Sequence, residues 1–196
     1  MAILNGFTPN TAKNMQLNAG ILVKNLEEID KFDGEIDDKQ KIGATEGGAT
    51  FTAVPEIRNI FDGIDGARGN YKDGNAIDSW EVKITGTMKE MTAENFKLAL
   101  GAADITKAQE LEKFDKINGR MEFESTDYLK NICWLGTQNG SDEPIIIEIK
   151  NALNVTGVSF TATDKGTGAI AFEIQGHFDI AKPDDVPFTI YTPKKA

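Results

Sequence analysis

Residues 77–88 read IDSWEVKITGTM, and this stretch decides the fold class. Trp80, Val82, Ile84 and Met88 share one parity, while Ser79, Glu81, Lys83, Thr85 and Thr87 share the other. A period of two is the signature of a strand with one buried and one solvated face. The spacing therefore predicts a half-buried strand whose polar face meets water or an interface.

Just before it, residues 61–75 read FDGIDGARGNYKDGN, a glycine- and Asp/Asn-rich stretch that predicts a long loop or hairpin tip. Upstream, the region 41–60 alternates loosely, with Phe51, Ala53 and Pro55 on one face. Pro55 argues against a central strand, because it has no N–H for a ladder. Gly43, Gly47 and Gly48 lack the Lys–Ser/Thr pair of a phosphate loop and read as a strand entry.

One helix follows the decisive strand, over 92–102. Thr92 is the predicted cap, Glu94 suits the first turn, and Met91 and Phe96 have the spacing of a hydrophobic staple. Leu98, Ala99, Leu100 and Ala102 continue it, and Gly101 marks its end.

The second half reads as strands. Arg120–Phe123 and Tyr128–Leu135 are two. Asn139–Gly140 is a hairpin signal, and Ile145–Ile149 is dense in β-branched residues. Val155–Thr163 and Ala169–Phe178 predict a hairpin, with Val158, Phe160, Ala162, Ile170, Phe172 and Ile174 pointing inward. Phe188–Tyr191 is a final strand. Regularly spaced strands with one helix predict a mainly β protein: a β-sandwich or barrel with one flanking helix, long loops and extended terminal arms. The expected organisation is a single domain over 1–196, with an N-terminal arm at 1–16, a short strand around Ile21–Val23, and a C-terminal arm at 182–196.

The charge is uneven. The net charge is −10, and residues 27–38, EEIDKFDGEIDD, carry −6 of it. Such a run is usually a solvated loop, here with Asp33–Gly34 as its tip; it lacks the spacing of an EF-hand. An acidic chain is a poor grip for a nucleic-acid backbone. The single cysteine, Cys133, lies in an apolar run and reads as a buried small hydrophobe. No secretory leader and no membrane span are expected.

No catalytic motif stands out. The single histidine, His177, has no metal-ligand or nucleophile partner at a suitable spacing and reads as a packed strand residue. Trp80 and Trp134 fall among apolar residues, as core aromatics do. No catalytic, cofactor or metal residue is singled out, and the chain is expected not to be an enzyme.

Several segments, in order, resemble the tail tube (major tail) proteins of long-tailed bacteriophages: LNAGILVKNL at 17–26, ATEGGATFTAVPEIR at 44–58, IDSWE at 77–81, TAENFKLALGAAD at 92–104 and QGHFD at 175–179. The resemblance covers somewhat over a third of the chain and leans to the non-contractile, siphophage type. It implies a virion protein, made in the host cytoplasm, that assembles into stacked hexameric rings. Tape measure, tail tip and tail terminator proteins are the implied partners, and DNA passes through the lumen without specific binding. Glu81, Glu173 and the 27–38 run are candidates for an acidic lumen, the run facing outward being the other reading. A contractile-tail tube or phage-tail-like bacteriocin would share the fold. A monomeric carbohydrate-binding β-sandwich would instead need exposed aromatics, and a carboxylate hydrolase would need a selected acid pair.

Overall fold

The computed structural model describes residues 6–29, 32, 34–107 and 113–194. Among them the chain forms β1 (Ile21–Lys24), β2 (Thr45–Asn59), β3 (Asn75–Met88), α1 (Ala93–Leu100), β4 (Ala103–Lys107), β5 (Asp115–Gly119), β6 (Leu129–Thr137), β7 (Pro144–Asn154), β8 (Ser159–Thr161), β9 (Ala169–Gln175) and β10 (Phe188–Tyr191). All pairings are antiparallel. Strands β1, β6, β7 and β10 make one sheet, and β2, β3, β9 and β8 make a second. The end of β7 crosses to the second sheet, where Leu153 meets Gln175 and Asn154 meets Ile174. The fold is a β-sandwich with one flanking helix.

The parity read at 77–88 sets the core. Val82, Ile84 and Met88 are buried, and β9 adds Ile170, Phe172 and Ile174 beside them. Leu22, Ile132, Ile149 and Ala152 of the first sheet close the same cluster. Trp80 is only half-buried. Its ring lies 5.4 Å from Phe188, which lies 5.8 Å from Phe51, so an aromatic row seals one end of the sandwich.

Helix α1 is placed by its cap and by two buried amides. The Thr92 hydroxyl accepts from the Asn95 N–H at 3.1 Å, and Gly101 ends the helix at φ +76°. The Asn95 side chain donates to the Ile42 and Glu90 carbonyls, while Asn154 donates to the Ala99 carbonyl at 2.7 Å. These bonds pin the helix between the strand entry at 42 and the end of β7.

The first sheet buries its outer face as well. Val23, Leu26, Cys133, Leu135 and Ile146 form a second cluster, covered by Ile29, Phe32, Ile36 and Tyr191. The acidic run is thus a surface loop that turns its described acids to water and its apolar residues inward. Asp30, Lys31 and Asp33, the last of these in the expected tip, lie outside the described residues.

Two expectations are corrected, and one hairpin is added. Arg120–Phe123 is not a strand: β5 ends at Gly119, Met121 is fully exposed, and the Arg120 side chain turns to Asp104, Glu124 and Asp127. The β4–β5 hairpin was not anticipated, because its strands are polar and only Ala103 is buried. Val158, Phe160 and Ala162 do not point inward. Strand β8 covers only 159–161 and is exposed throughout, since it pairs with β9 at the rim, away from the core.

No residue from 6 to 16 is buried; residues 1–5 lie outside the described residues. At the other terminus, β10 is built into the first sheet beside β7, and Pro187 is fully buried. Residues 195–196 lie outside the described residues.

Candidate functional site

Strands β2, β3 and β9 present a largely polar face away from the core, with Val54 opposite Glu81 as an apolar member. In register across it, Thr52 lies opposite Lys83 and Lys83 opposite Gln175; Thr50 lies opposite Thr85 and Thr85 opposite Glu173. Period-two alternation puts Ser79, Glu81 and Thr87 on this same face. Hydroxyls and short polar chains dominate it.

Lys83 organises the charge. Its ammonium lies 3.2 Å from Glu81 and 3.7 Å from Glu173. The hydrogen bond to Glu81, helped by the charge of Glu173, raises the lysine above its ordinary range. The two acids singled out from the sequence are therefore together, but around a cation that the sequence reading passed over. Glu81 and Lys83, two apart on one strand, were visible as a pair; Glu173 is far away in sequence, and only the β3–β9 register brings it in. Elsewhere on this sheet, Lys89 pairs with Glu46 at 2.6 Å, Arg58 with Asp78 at 3.0 Å, and Ser79 donates to Glu56 at 2.8 Å.

The acidic run stands apart from this group. It covers the outer face of the first sheet, so the sandwich lies between it and Glu81 and Glu173.

The second sheet has a long open edge at β2; on its other side β9 is bordered by the end of β7 and by the three-residue β8, whose outer side is open. Among the described residues, β2 pairs only with β3, and β8 only with β9. Strand β2 is long, 15 residues, and irregular at Glu46/Ala49 and Glu56/Ile57. Gly47 and Gly48, both at φ +76°, supply the first irregularity. Pro55 is compatible with this edge position, where no neighbour asks for its missing N–H. The first sheet differs: the returning segment 40–42 covers β1, with Lys24 N–H donating to the Gln40 carbonyl and Ile42 N–H to the Leu22 carbonyl. At its far end the β2–β3 hairpin exposes Ile57 and Ile77, partners in the ladder, and Ile60 and Ile64 beyond it.

The remaining chemistry-bearing residues are packed. His177 Nδ1 lies 3.0 Å from the Asn151 carbonyl, and its ring meets Tyr128 edge-on at 5.3 Å. Burial, with the nearby Glu148 charge, pushes the Cys133 thiol up to about 12, so it is not a thiolate at neutral pH. Trp134 donates its indole N–H to the Ala19 carbonyl at 2.8 Å. Among the described residues no helix is long and apolar enough to cross a membrane. Compared with known proteins, the chain matches no protein-family profile and no curated protein.

Proposed function

We propose that the chain is a structural subunit of a tube, a tail tube protein of a long-tailed bacteriophage or related particle, and not an enzyme. One observation carries the reading: a polar, hydroxyl-rich sheet face lies between β2 and β8, two strands whose outer sides are unpaired among the described residues. Open edges invite pairing with another chain. An edge-to-edge contact between β2 of one copy and β8 of the next is heterologous, and such a contact gives a ring when the rotation closes. The polar face then lines the channel. Its carboxylates outnumber its lysine in the trio at Lys83, so a polyanion meets mild repulsion and no grip. The ordered resemblance of the five sequence segments gives the reading its family, its hexameric ring and its partners.

A polar arm and a hairpin with four exposed isoleucines fit stacking between rings better than life as a monomer. The fold suits contractile and non-contractile tubes alike; the segment resemblance favours the latter.

Electron microscopy of the purified chain over a concentration series, with and without a tail-tip complex as nucleus, tests the reading. Hollow tubes of uniform width are the expected outcome. A strict monomer under every condition, including the nucleated one, overturns it.

A further inference from the structure

We propose that Asn139–Gly140 is a site of spontaneous deamidation and that the modification releases the N-terminal arm. Asn139 and Gly140 occupy the centre of the turn between β6 and β7, where Ser141 N–H donates to the Gln138 carbonyl. Gly140 stands at φ +85°, as the third position of a type II turn requires. Both residues are exposed.

The chemistry needs only water. The Gly140 backbone nitrogen attacks the Asn139 side-chain carbonyl carbon; a C–N bond forms, and the amide nitrogen leaves as ammonia with the transferred proton. Water then opens the cyclic imide to aspartate or isoaspartate. No electron changes hands. Glycine permits the attack because no Cβ shields its nitrogen. Asn–Gly also occurs at 118–119, but there Gly119 is held in the ladder opposite Ala103, which restrains the backbone rotation that ring closure requires. Asn5 of the pair 5–6 lies outside the described residues.

The consequence follows from what Asn139 holds. Its backbone N–H donates to the Met15 carbonyl at 2.9 Å, and its side-chain amide donates to the Ala12 carbonyl at 2.9 Å. Leu17 N–H donates to the Thr137 carbonyl at 3.2 Å. No residue from 6 to 19 is buried, so these bonds, with those of Gln138 to the Lys13 carbonyl and Trp134 to the Ala19 carbonyl, tie the arm to β6 and its turn, and those of Asn139 hold the segment at 12–15. Deamidation removes the donor facing Ala12 and puts a carboxylate against a carbonyl oxygen. It also adds one negative charge to the −10 of the chain. Isoaspartate further lengthens the backbone between the residue 139 Cα and the Gly140 nitrogen and displaces the Ser141 N–H that closes the turn on Gln138. The turn is a slow covalent clock on the free subunit, set by how often Asn139 lets go of Ala12.

The test incubates the purified chain at mildly alkaline pH, maps deamidation by peptide mass spectrometry, and follows tryptic cleavage after Lys13 and amide exchange. Position 139 should deamidate ahead of 118. N139D should behave as a pre-released arm, cut after Lys13 about tenfold faster than fresh chain, the scale expected for losing such a bond at a solvated site. N139Q, whose larger ring closes far more slowly, should stay unmodified. Amide protection of β3 should be unchanged in every sample. Deamidation at 118 with 139 intact overturns the site. Cleavage of N139D at the wild-type rate overturns the release, and so does loss of β3 protection in N139D, because the turn would then hold the sandwich and not the arm.

Discussion

The Asn131 side chain closes a ring of two hydrogen bonds with the backbone of Leu26: its oxygen accepts from the Leu26 N–H at 2.8 Å, and its amide donates to the Leu26 carbonyl at 3.0 Å. The same amide donates to Glu148 at 2.9 Å. Asn131 is buried, so these groups have no ready substitute in water. Asn131→Leu keeps the number of side-chain heavy atoms and strands three polar groups. We expect a loss of about 2–4 kcal/mol in denaturant unfolding, from the desolvation of unmatched donors and acceptors. A wild-type midpoint would mean that water reaches the site.

Gly86 sits opposite Phe172 in the β3–β9 ladder, and a Cβ there would lie 2.7 Å from the Phe172 ring. Gly86→Ala should therefore cost about 1–3 kcal/mol by overpacking. Phe172→Leu makes room, so the double variant should recover part of that loss. A simple sum of the two penalties in a double-mutant cycle would refute the steric account.

The β3 alternation and the cap at Thr92 were legible because each is a local pattern. Cys133 and the β6–β7 turn were legible for the same reason. Strand β8 was misjudged because Phe160 looks like a core residue in sequence, and only the sheet order places it at a rim. The β4–β5 hairpin left almost no apolar signal, since only Ala103 of it is buried and the ionic contacts of Arg120 beside it leave no apolar pattern. At the candidate site, Glu81 and Glu173 were picked out, but Lys83 between them depends on register across distant strands. The open edges at β2 and β8 also depend on strand order, which no local pattern encodes.

Arg120 gathers three carboxylates: Asp104 on β4, and Glu124 and Asp127 in the turn that follows β5. The Asp127 side chain is almost fully buried, 1% exposed, so removing this arginine leaves a buried carboxylate without its cation. Arg120→Leu should lower stability and loosen β4 and β5 first. Hydrogen exchange should rise there before it rises in β3. Uniform exchange across both sheets would show that the arginine supports the whole sandwich instead.

Cys133 gives a pH signature. Its thiol is raised by burial from 9.0 to about 12, so the folded state keeps the proton that the unfolded chain loses. The stabilising contribution is complete below pH 9 and fades as pH climbs from 9 towards 12. Unfolding midpoints should fall with pH across that window, and Cys133→Ala should flatten part of the fall. An identical slope in both proteins would assign the loss to other groups.

The trio at Lys83 offers a test of the channel reading that is separate from assembly. Glu81, Lys83 and Glu173 together carry −1 per subunit, and all three lie on the polar face and not at an open edge. Glu81→Lys and Glu173→Lys each turn this trio to +1, which gives passing phosphates an attractive ring; Lys83→Gln takes it to −2. If the face lines a channel, tubes should still form in all three variants. DNA release should slow in the two charge reversals, more at low salt than at high salt, because screening shortens the reach of the field to about 8 Å at physiological ionic strength. Lys83→Gln should leave release as fast as wild type or faster. Tubes that form normally and release DNA at one rate in all variants would place this face outside the channel.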